Sequence, residues 1–366
     1  MISSLTETQT DVALLAAEVF GRNGSPEQVT MAEESVERFD QDLWRALAES
    51  GLLGVVLSEA AGGLGLGLVE LALVCEQLGK VVAPVPLIPT LCAAMAIAEH
   101  GTTEQKAHWL PGFADGSVIA AIAPAQSVVD VRFEADGTKI TGHLVAVPWA
   151  HVANLVLVPV GGRLFLIDPA APGVAAERCV LTSRENGLDI RMGGVSTEPL
   201  GDAGAVEWLR QRWLVALAAT AAGVTDGALR LTASYTSQRE QFGKPLSTFQ
   251  GVALKAADAY LDTTAIRAAA RQAAWKLDRV AANPGGEDAL LEVLTAAWWA
   301  AEAGQHCVHL TQHLHGGMGA DITYPVHRYF LWGKQIELLT GGASSLLAEL
   351  GDVLVEHPTA GDAVVL

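Results

Sequence analysis

The chain has 366 residues, half of them hydrophobic, and a mean hydropathy of +0.30, which is enough for a large core divided into two or three domains. Its net charge of −18 argues against nucleic acid or an anionic membrane as partner, though a local basic spot would still hold an anionic small molecule. Cys75, Cys92, Cys179 and Cys307 show no C-x-x-C spacing and lie in apolar stretches, which predicts buried free thiols in a reducing cytoplasm.

From Met1 onward no basic region precedes an apolar core, so no secretory signal is expected. Val12, Leu15, Ala16 and Val19 mark an apolar helical stripe behind Thr10, a candidate cap. Asp40 is placed to cap a second helix carrying Leu43, Trp44 and Leu47, which Gly51 stops. The run Gly62-Gly63-Leu64-Gly65-Leu66-Gly67 invites a dinucleotide-fingerprint reading. No complete strand–turn–helix unit surrounds it, and Glu70 sits where a phosphate would approach. A flexible surface turn leading into a helix over 68–78 is the expectation. Residues 81–98 form the one membrane candidate. Pro84, Pro86 and Pro89 punctuate it, and it lacks the uninterrupted run of about 20 residues that a spanning helix needs. It reads instead as a buried loop entering a helix over 89–99, with a short helix near 104–110 after it. The surplus apolar surface points to burial between subunits.

From about Ser117 the texture changes. Apolar, β-rich runs at 118–122, 129–133, 139–147, 154–160, 164–167, 173–181 and 188–195 are separated by Gly, Pro and Asp. This spacing predicts an antiparallel sheet or small barrel ending near Gly201. Helical patterns then resume over 205–237. Phe249, Val252, Ala253, Ala256 and Tyr260 share one face of the next helix, which Asn283-Pro284-Gly285-Gly286 breaks. Leu290, Val293, Leu294, Ala297, Trp298 and Ala301 stripe another. Pro325 can start a fourth that ends near Gly341-Gly342, and 344–355 a last. The expectation is an α+β fold with an N-terminal helical domain (1–116), a middle antiparallel β domain (117–203) and a C-terminal four-helix bundle (204–366).

Two polar clusters interrupt the helical half. The first is Arg239-Glu240-Gln241-Phe242-Gly243-Lys244-Pro245-Leu246 with Phe249-Gln250. The second is Gln312-His313-Leu314-His315-Gly316-Gly317-Met318-Gly319, followed by Asp321 and by Tyr324-Pro325-Val326-His327-Arg328. An arginine at a helix end offers a planar fork for phosphate, and glycines let a ligand or another backbone come close. Each has a plainer reading. Arg239 would form a surface ion pair, Gln312 would cap a helix end, Phe242 and Phe249 would be core residues, and Asp321 and Arg328 a structural pair. His306, His309 and His313 share a helical face at metal-ligand spacing, but no acidic residue accompanies them there, and no metal is expected.

The pattern Arg239-x-Gln241-Phe242-Gly243-x-Pro245-Leu246-x-x-Phe249-Gln250 resembles a segment of the acyl-CoA dehydrogenase family. Gln312-x-x-x-Gly316-Gly317-x-Gly319 resembles its glutamine–glycine segment, with one residue more than the commonest spacing, and residues 324–328 resemble the tail that follows. The helical–β–helical order agrees along nearly the whole chain. The resemblance implies an FAD enzyme that converts an acyl-CoA substrate to the 2-enoyl-CoA. A glutamate takes the α proton, hydride leaves the β carbon for the flavin, and hydrogen bonds to the thioester carbonyl stabilise the developing charge. It also implies dimers, or dimers of dimers, in which one subunit reaches across to its neighbour's FAD. Arg239, Gln241, Phe242, Gln312 and Gly316 would form that grip.

The departures from the family pattern are specific. Counting from Lys334 places Thr340 and Gly341 where the commoner base position has glutamate, and Trp213 occupies the alternative position. None of these can take a proton as a carboxylate would. Glu337, one helical turn before Thr340, is a candidate displaced base, although a carboxylate on a helix flank is ordinarily just solvated. The family's T-E-P segment appears as Ile122-Ala123-Pro124 with a shortened continuation. The W-x-T pair that lies on the flavin ring aligns with Ala146 and Pro148, with Trp149 as a substitute if the register slips. Loss on the flavin side with retention of the grip resembles the non-catalytic subunit of actinobacterial steroid side-chain acyl-CoA dehydrogenases, heterotetramers in which one kind of subunit carries the base. The expected partner is therefore a homologous catalytic subunit; the alternatives are a homo-oligomer and a flavin-free binding protein.

Overall fold

The computed structural model describes residues 4–133, 138–283 and 288–356. The chain opens with α1 (Glu7–Asn23), α2 (Pro26–Glu34), α3 (Gln41–Glu49), α4 (Leu68–Val81), α5 (Leu87–His100) and α6 (Thr103–Ala114). Eight strands follow: β1 (Ala120–Ile122), β2 (Val128–Phe133), β3 (Lys139–Pro148), β4 (Leu155–Val160), β5 (Arg163–Ile167), β6 (Val174–Val180), β7 (Asn186–Ser196) and β8 (Glu198–Leu200). Then α7 (Ala205–Gln238) leads through the short strands β9 (Glu240–Gln241) and β10 (Lys244–Pro245) into α8 (Gln250–Ala282), α9 (Leu290–Leu314), α10 (Val326–Thr340) and α11 (Ala343–Glu356). The helical–β–helical order is the expected one. The break at Pro284-Gly285-Gly286 lies outside the described residues.

Local chemistry sets the helix starts. Thr6, not Thr10, caps α1. The Gln9 N–H donates to Thr6 Oγ1 (3.2 Å) and the Thr6 N–H to Gln9 Oε1 (3.0 Å), while the Thr10 hydroxyl turns back to the Thr6 carbonyl. Helix α2, absent from the sequence expectation, is opened by a capping box of Ser25 and Gln28 with Pro26 in its first turn. Asp40 does cap α3, accepting from the Leu43 N–H at 2.9 Å. The glycine run is a turn, but a clamped one rather than a flexible one. A Cβ on Gly63 would lie 2.2 Å from the Leu57 carbonyl oxygen, and Glu70 accepts the Gly67 N–H (2.9 Å) at the start of α4. Helix α6 runs to Ala114, past the short helix expected.

The chain divides into two compact units. One comprises Glu18–Glu70 and Ala83–Trp213, the other Met1–Ala17, Leu71–Val82 and Leu214–Leu366. In the first, two four-stranded sheets run in the orders β1-β4-β5-β8 and β2-β3-β7-β6. Their facing side chains, among them Ile140, Leu144, Val156, Val158, Ile190 and Val195, form its β core. The pairings are antiparallel except β1 with β4, which are parallel because the chain leaves the first sheet for β2 and β3 before returning.

In the second unit α9 lies at the centre, and Val293, Leu294, Ala297 and Ala301 are buried as expected. Its α4 and α7 segments cross without room for side chains: a Cβ on Gly79 would meet the Thr220 carbonyl oxygen at 2.1 Å, and one on Gly223 the Glu76 carbonyl oxygen at 2.0 Å. Charges close the crossing. Glu76 accepts from Arg267 and Arg271 (3.0 Å each), and Asp226 pairs with Arg230 at 2.8 Å. The expected apolar face of α8 is not its buried face. Ala259, Thr263, Ile266, Ala270 and Leu277 turn inward, whereas Tyr260 and Leu261 stay 61% and 64% exposed. No described residue of the unit buries Tyr260 or Leu261.

The membrane expectation needs one addition. Residues 81–98 do give only the 14-residue α5, but α7 is long and apolar enough to cross a membrane; 83% of its apolar window is buried in the protein instead. The apolar stretch Val326–Glu356 is bent into α10 and α11 by Gly341, whose φ is 93°. All four cysteines are free thiols; Cys75, Cys92 and Cys307 are buried and Cys179 is half-buried.

Candidate functional site

The sequence stretch around Arg239 folds into a platform. The last turn of α7 ends where the Arg239 N–H donates to the Tyr235 carbonyl (2.8 Å), and the chain reverses through β9 and β10. Phe242 and Gly243 form the turn with φ of 54° and 80°, the left-handed pair that a tight hairpin requires. The Leu246 N–H then donates to the Arg239 carbonyl (2.9 Å), fixing the hairpin against the helix end. Lys244 sits over the Phe249 ring at 4.4 Å.

Beside this platform lies an open cleft of about 560 Å³, bordered by Arg239, Gln241, Lys255, His313, His315 and Gly316. The Arg239 guanidinium makes no hydrogen bond or ion pair among the described residues, so the plain reading of a surface ion pair does not hold. Gly316 takes φ of 58°, and neither Gly316 nor Gly317 would meet a neighbour if it carried a Cβ. Cationic side chains beside accessible backbone suit a phosphate-bearing ligand.

The structure brings Arg239, Gln241 and Gly316 together at this cleft but not Phe242 or Gln312. Phe242 stands at the hairpin tip, 91% exposed, its ring edge-on to Phe249 at 6.2 Å. Gln312 turns away, its side-chain amide donating to the Gly319 carbonyl at 2.8 Å. A Cβ on Gly319 would be 2.4 Å from the Gln312 carbonyl oxygen, which explains that glycine. The residue at the family's commonest spacing from Gly316 is His313, and His313 borders the cleft, with Lys255 Nζ 3.3 Å from its Nδ1. The extra residue in the sequence pattern is thus a matter of register. Lys255 and Tyr235 went unrecognised in the sequence, and His313 and His315 were singled out with their polar cluster but not as cofactor contacts; Gly251 and Lys255, four apart on α8, were the available signal.

The three histidines at metal-ligand spacing go to separate partners. His306 pairs with Asp262 (2.7 Å), His309 with Gln305 (3.3 Å) and His313 with Lys255. Asp321 accepts from the backbone and side chain of Thr323.

The expected base positions hold no carboxylate. The Thr340 hydroxyl donates to the Glu337 carbonyl (2.9 Å) in the last turn of α10. Gly341 and Gly342, with φ of 93° and 87°, return their N–H groups to Leu338 and Glu337 and close the helix. Glu337 is bound to Lys334 at 2.9 Å, an ion pair within its own helix. Trp213 is buried. On β3, Ala146 takes φ of 52° at a register shift, and its N–H is occupied by the Asp189 carboxylate (2.7 Å). Trp149 is 4% exposed and packs edge-on to Phe39 (6.3 Å), so it does not substitute as a free aromatic face.

Residues 6–117 match the model of the acyl-CoA dehydrogenase N-terminal domain, and residues 210–352 that of the acyl-CoA dehydrogenase C-terminal domain. Among curated proteins, the chain is 33% identical to acyl-CoA dehydrogenase FadE27 of Mycobacterium tuberculosis, over 96% of this chain and 98% of the relative. It is 34% identical to acyl-CoA dehydrogenase FadE28 of the same organism, over 89% and 96%. Among solved structures, a variant of the Tcur3481-Tcur3483 steroid ACAD is 43% identical, with a TM-score of 0.89 over 96% of this chain and 99% of that one. A chain of the ChsE4-ChsE5 complex from Mycobacterium tuberculosis is 33% identical, with a TM-score of 0.90 over 98% and 100%.

Proposed function

The chain belongs to the acyl-CoA dehydrogenase family, and from that premise we propose that it is the subunit without a catalytic carboxylate in a heteromeric acyl-CoA dehydrogenase. The observation that carries the proposal is the helix stop at Thr340, Gly341 and Gly342, where a hydroxyl and two left-handed glycines stand in place of a base. In this role the chain acts through the cleft beside Arg239, gripping the phosphates of an FAD whose flavin ring serves a homologous partner subunit.

This chain's two sets of candidate FAD contacts fit the cofactor unequally. Arg239 and Lys255, with the unobstructed Gly316 and Gly317, suit the diphosphate. The β3 positions suit a flavin ring poorly: Ala146 and Pro148 offer no aromatic face or hydroxyl, and the Ala146 N–H is already taken by Asp189. When bound, FAD supplies the hydride acceptor. This chain holds and orients one end of it, while α-proton removal falls to a carboxylate of the partner. The substrate is an acyl-CoA. The relatives described as a steroid ACAD and as the ChsE4-ChsE5 complex favour a steroid side chain as the acyl group and a heterotetramer as the assembly. The free thiols support a cytoplasmic setting.

Purified alone, the chain is expected to carry little FAD and to leave acyl-CoA substrates unoxidised in a dye-reduction assay. Co-expressed with a homologous chain that has the glutamate, it is expected to give a yellow complex whose flavins can be counted per tetramer. One tightly bound flavin per isolated chain, with turnover, would overturn the proposal. A self-sufficient homomer using Glu337 is disfavoured by the Lys334 ion pair. Glu337→Gln should leave the complex's activity nearly unchanged, whereas it would abolish a homomer's.

A further inference from the structure

The loop between α2 and α3 is strapped to the turn between β6 and β7. The Val36 carbonyl accepts from Asn186 Nδ2 (3.0 Å) and from Arg178 (3.2 Å), and both Glu37 carboxylate oxygens accept from Arg178 (2.9 and 2.8 Å). His151 Nε2 donates to the Glu37 carbonyl (2.8 Å), and Arg38 donates to the Arg184 carbonyl (2.8 Å). The two arginines joined by that last bond hold left-handed backbone without being glycine, with φ of 49° at Arg38 and 72° at Arg184. Backbone of this kind persists only where its surroundings hold it, so the loop has an open alternative in which both residues relax.

The end of the strap nearest α2 is acidic. Glu185 closes the turn, buried, and accepts from the Ser183 hydroxyl at 2.9 Å. Burial pushes its carboxyl up to about 7, against the Ser183 hydroxyl and with the charge of Glu33, itself buried on α2. Arg184 stands 3.8 Å from Glu33. The other charged groups of the strap are engaged as described: Glu37 with Arg178, and Arg38 with backbone. Burial lowers the pKa of His151, which keeps its ring neutral and its Nε2 a donor.

We propose that Glu185 is a proton-dependent latch for the α2–α3 loop. While its carboxyl is neutral, the loop stays shut on the β6–β7 turn. Loss of the proton sets two buried carboxylates against each other, one on α2 and one on the turn, and their separation opens the strap. Phe39 belongs to the released loop, and its ring lies edge-on to Trp149 at the end of β3 (6.3 Å). Opening thus frees the segment next to Ala146 and Pro148. All these groups lie in one compact unit, and the latch does not depend on the chain's role in a heteromer.

Hydrogen exchange of the full chain, followed by mass spectrometry over residues 35–40 and 181–186 and corrected for intrinsic rates, reads the opening equilibrium. The carboxyl titrates at about 7 when shut and at an ordinary 4.5 when open, so the opening constant should rise about 70-fold from pH 5 to pH 8, most of it below pH 7. Low urea should leave this exchange unchanged while it speeds that of the β3–β7 core, because a local opening exposes little surface. Glu185→Gln cannot ionise and should hold the opening constant level across the range. Glu33→Gln removes the opposing charge and should move the rise to lower pH. An opening constant in the parent chain that ignores pH, an equal rise in Glu185→Gln, or a urea response matching that of the β core would each overturn the latch. The parent's own pH and urea profiles decide the matter even if a variant fails to fold.

Discussion

Glu185 is the residue whose charge the fold controls most visibly. Burial pushes its carboxyl up to about 7 from an ordinary 4.5; the Ser183 hydroxyl, donating at 2.9 Å, works against that rise and the charge of Glu33 adds to it. Unfolding therefore releases the proton that the folded chain retains between these values. The stabilising contribution is full below about 4.5 and declines as pH rises to about 7, a change on the order of 3 kcal/mol. Glu185→Gln keeps a neutral acceptor, so urea midpoints of the variant should change less between pH 5 and pH 8 and exceed the parent's at pH 8. An equal decline in both proteins would show that Glu185 is not the source. Residue identity was legible here in an uneven way. Arg239 was readable because an arginine in a turn full of polar groups has no core role. The choice between Gln312 and His313 was not readable, because a shift of one residue at a helix end exchanges which side chain faces the cleft and which one folds back on Gly319.

At the scale of elements, the α4–α7 crossing depends on the absence of side chains. Gly223→Ala puts a methyl group 2.0 Å from the Glu76 carbonyl oxygen, backbone that cannot yield without shifting α4 and its ion pairs. A loss of about 1–3 kcal/mol and a lower Tm are expected. Gly21→Ala on α1, where a Cβ would meet nothing within 4 Å, should instead raise Tm slightly. Thermal melts of the two variants moving in the same direction would refute this account of the crossing. Strands β1 to β7 were legible nearly to their ends, because Gly, Pro and Asp punctuate runs whose β-branched residues fit a half-buried sheet, whereas the short β8, β9 and β10 were not. Helix α2 was missed although Ser25, Pro26 and Gln28 spell its start, since only Val29 and Ala32 among its apolar residues are buried and the stripe is faint. The parallel β1–β4 pair was beyond the sequence, because pairing direction depends on the route between strands rather than on the residues within them.

For the whole molecule, fold class and order were written in composition changes along the chain, while the outward apolar faces were not. Leu254, Tyr260 and Leu261 on α8 and Leu347 and Val355 on α11 remain exposed, in a chain with a mean hydropathy of +0.30. Surfaces of this kind are expected between subunits. If each subunit kind supplies what the other lacks, mixing experiments have a sharp signature. With the glutamate-bearing partner held constant, activity should rise in proportion to added chain, break at equal numbers and stay flat. Activity already complete without this chain would defeat the proposed division of labour. The helix stop after Thr340 has an evolutionary corollary. Restoring a glutamate there would remove the bond to the Glu337 carbonyl and would still leave Ala146, Pro148 and Asp189 as they are, in a separate stretch of sequence. Under the division of labour proposed above, such a chain works only beside its companion, and the two genes are expected to be inherited, duplicated and deleted together.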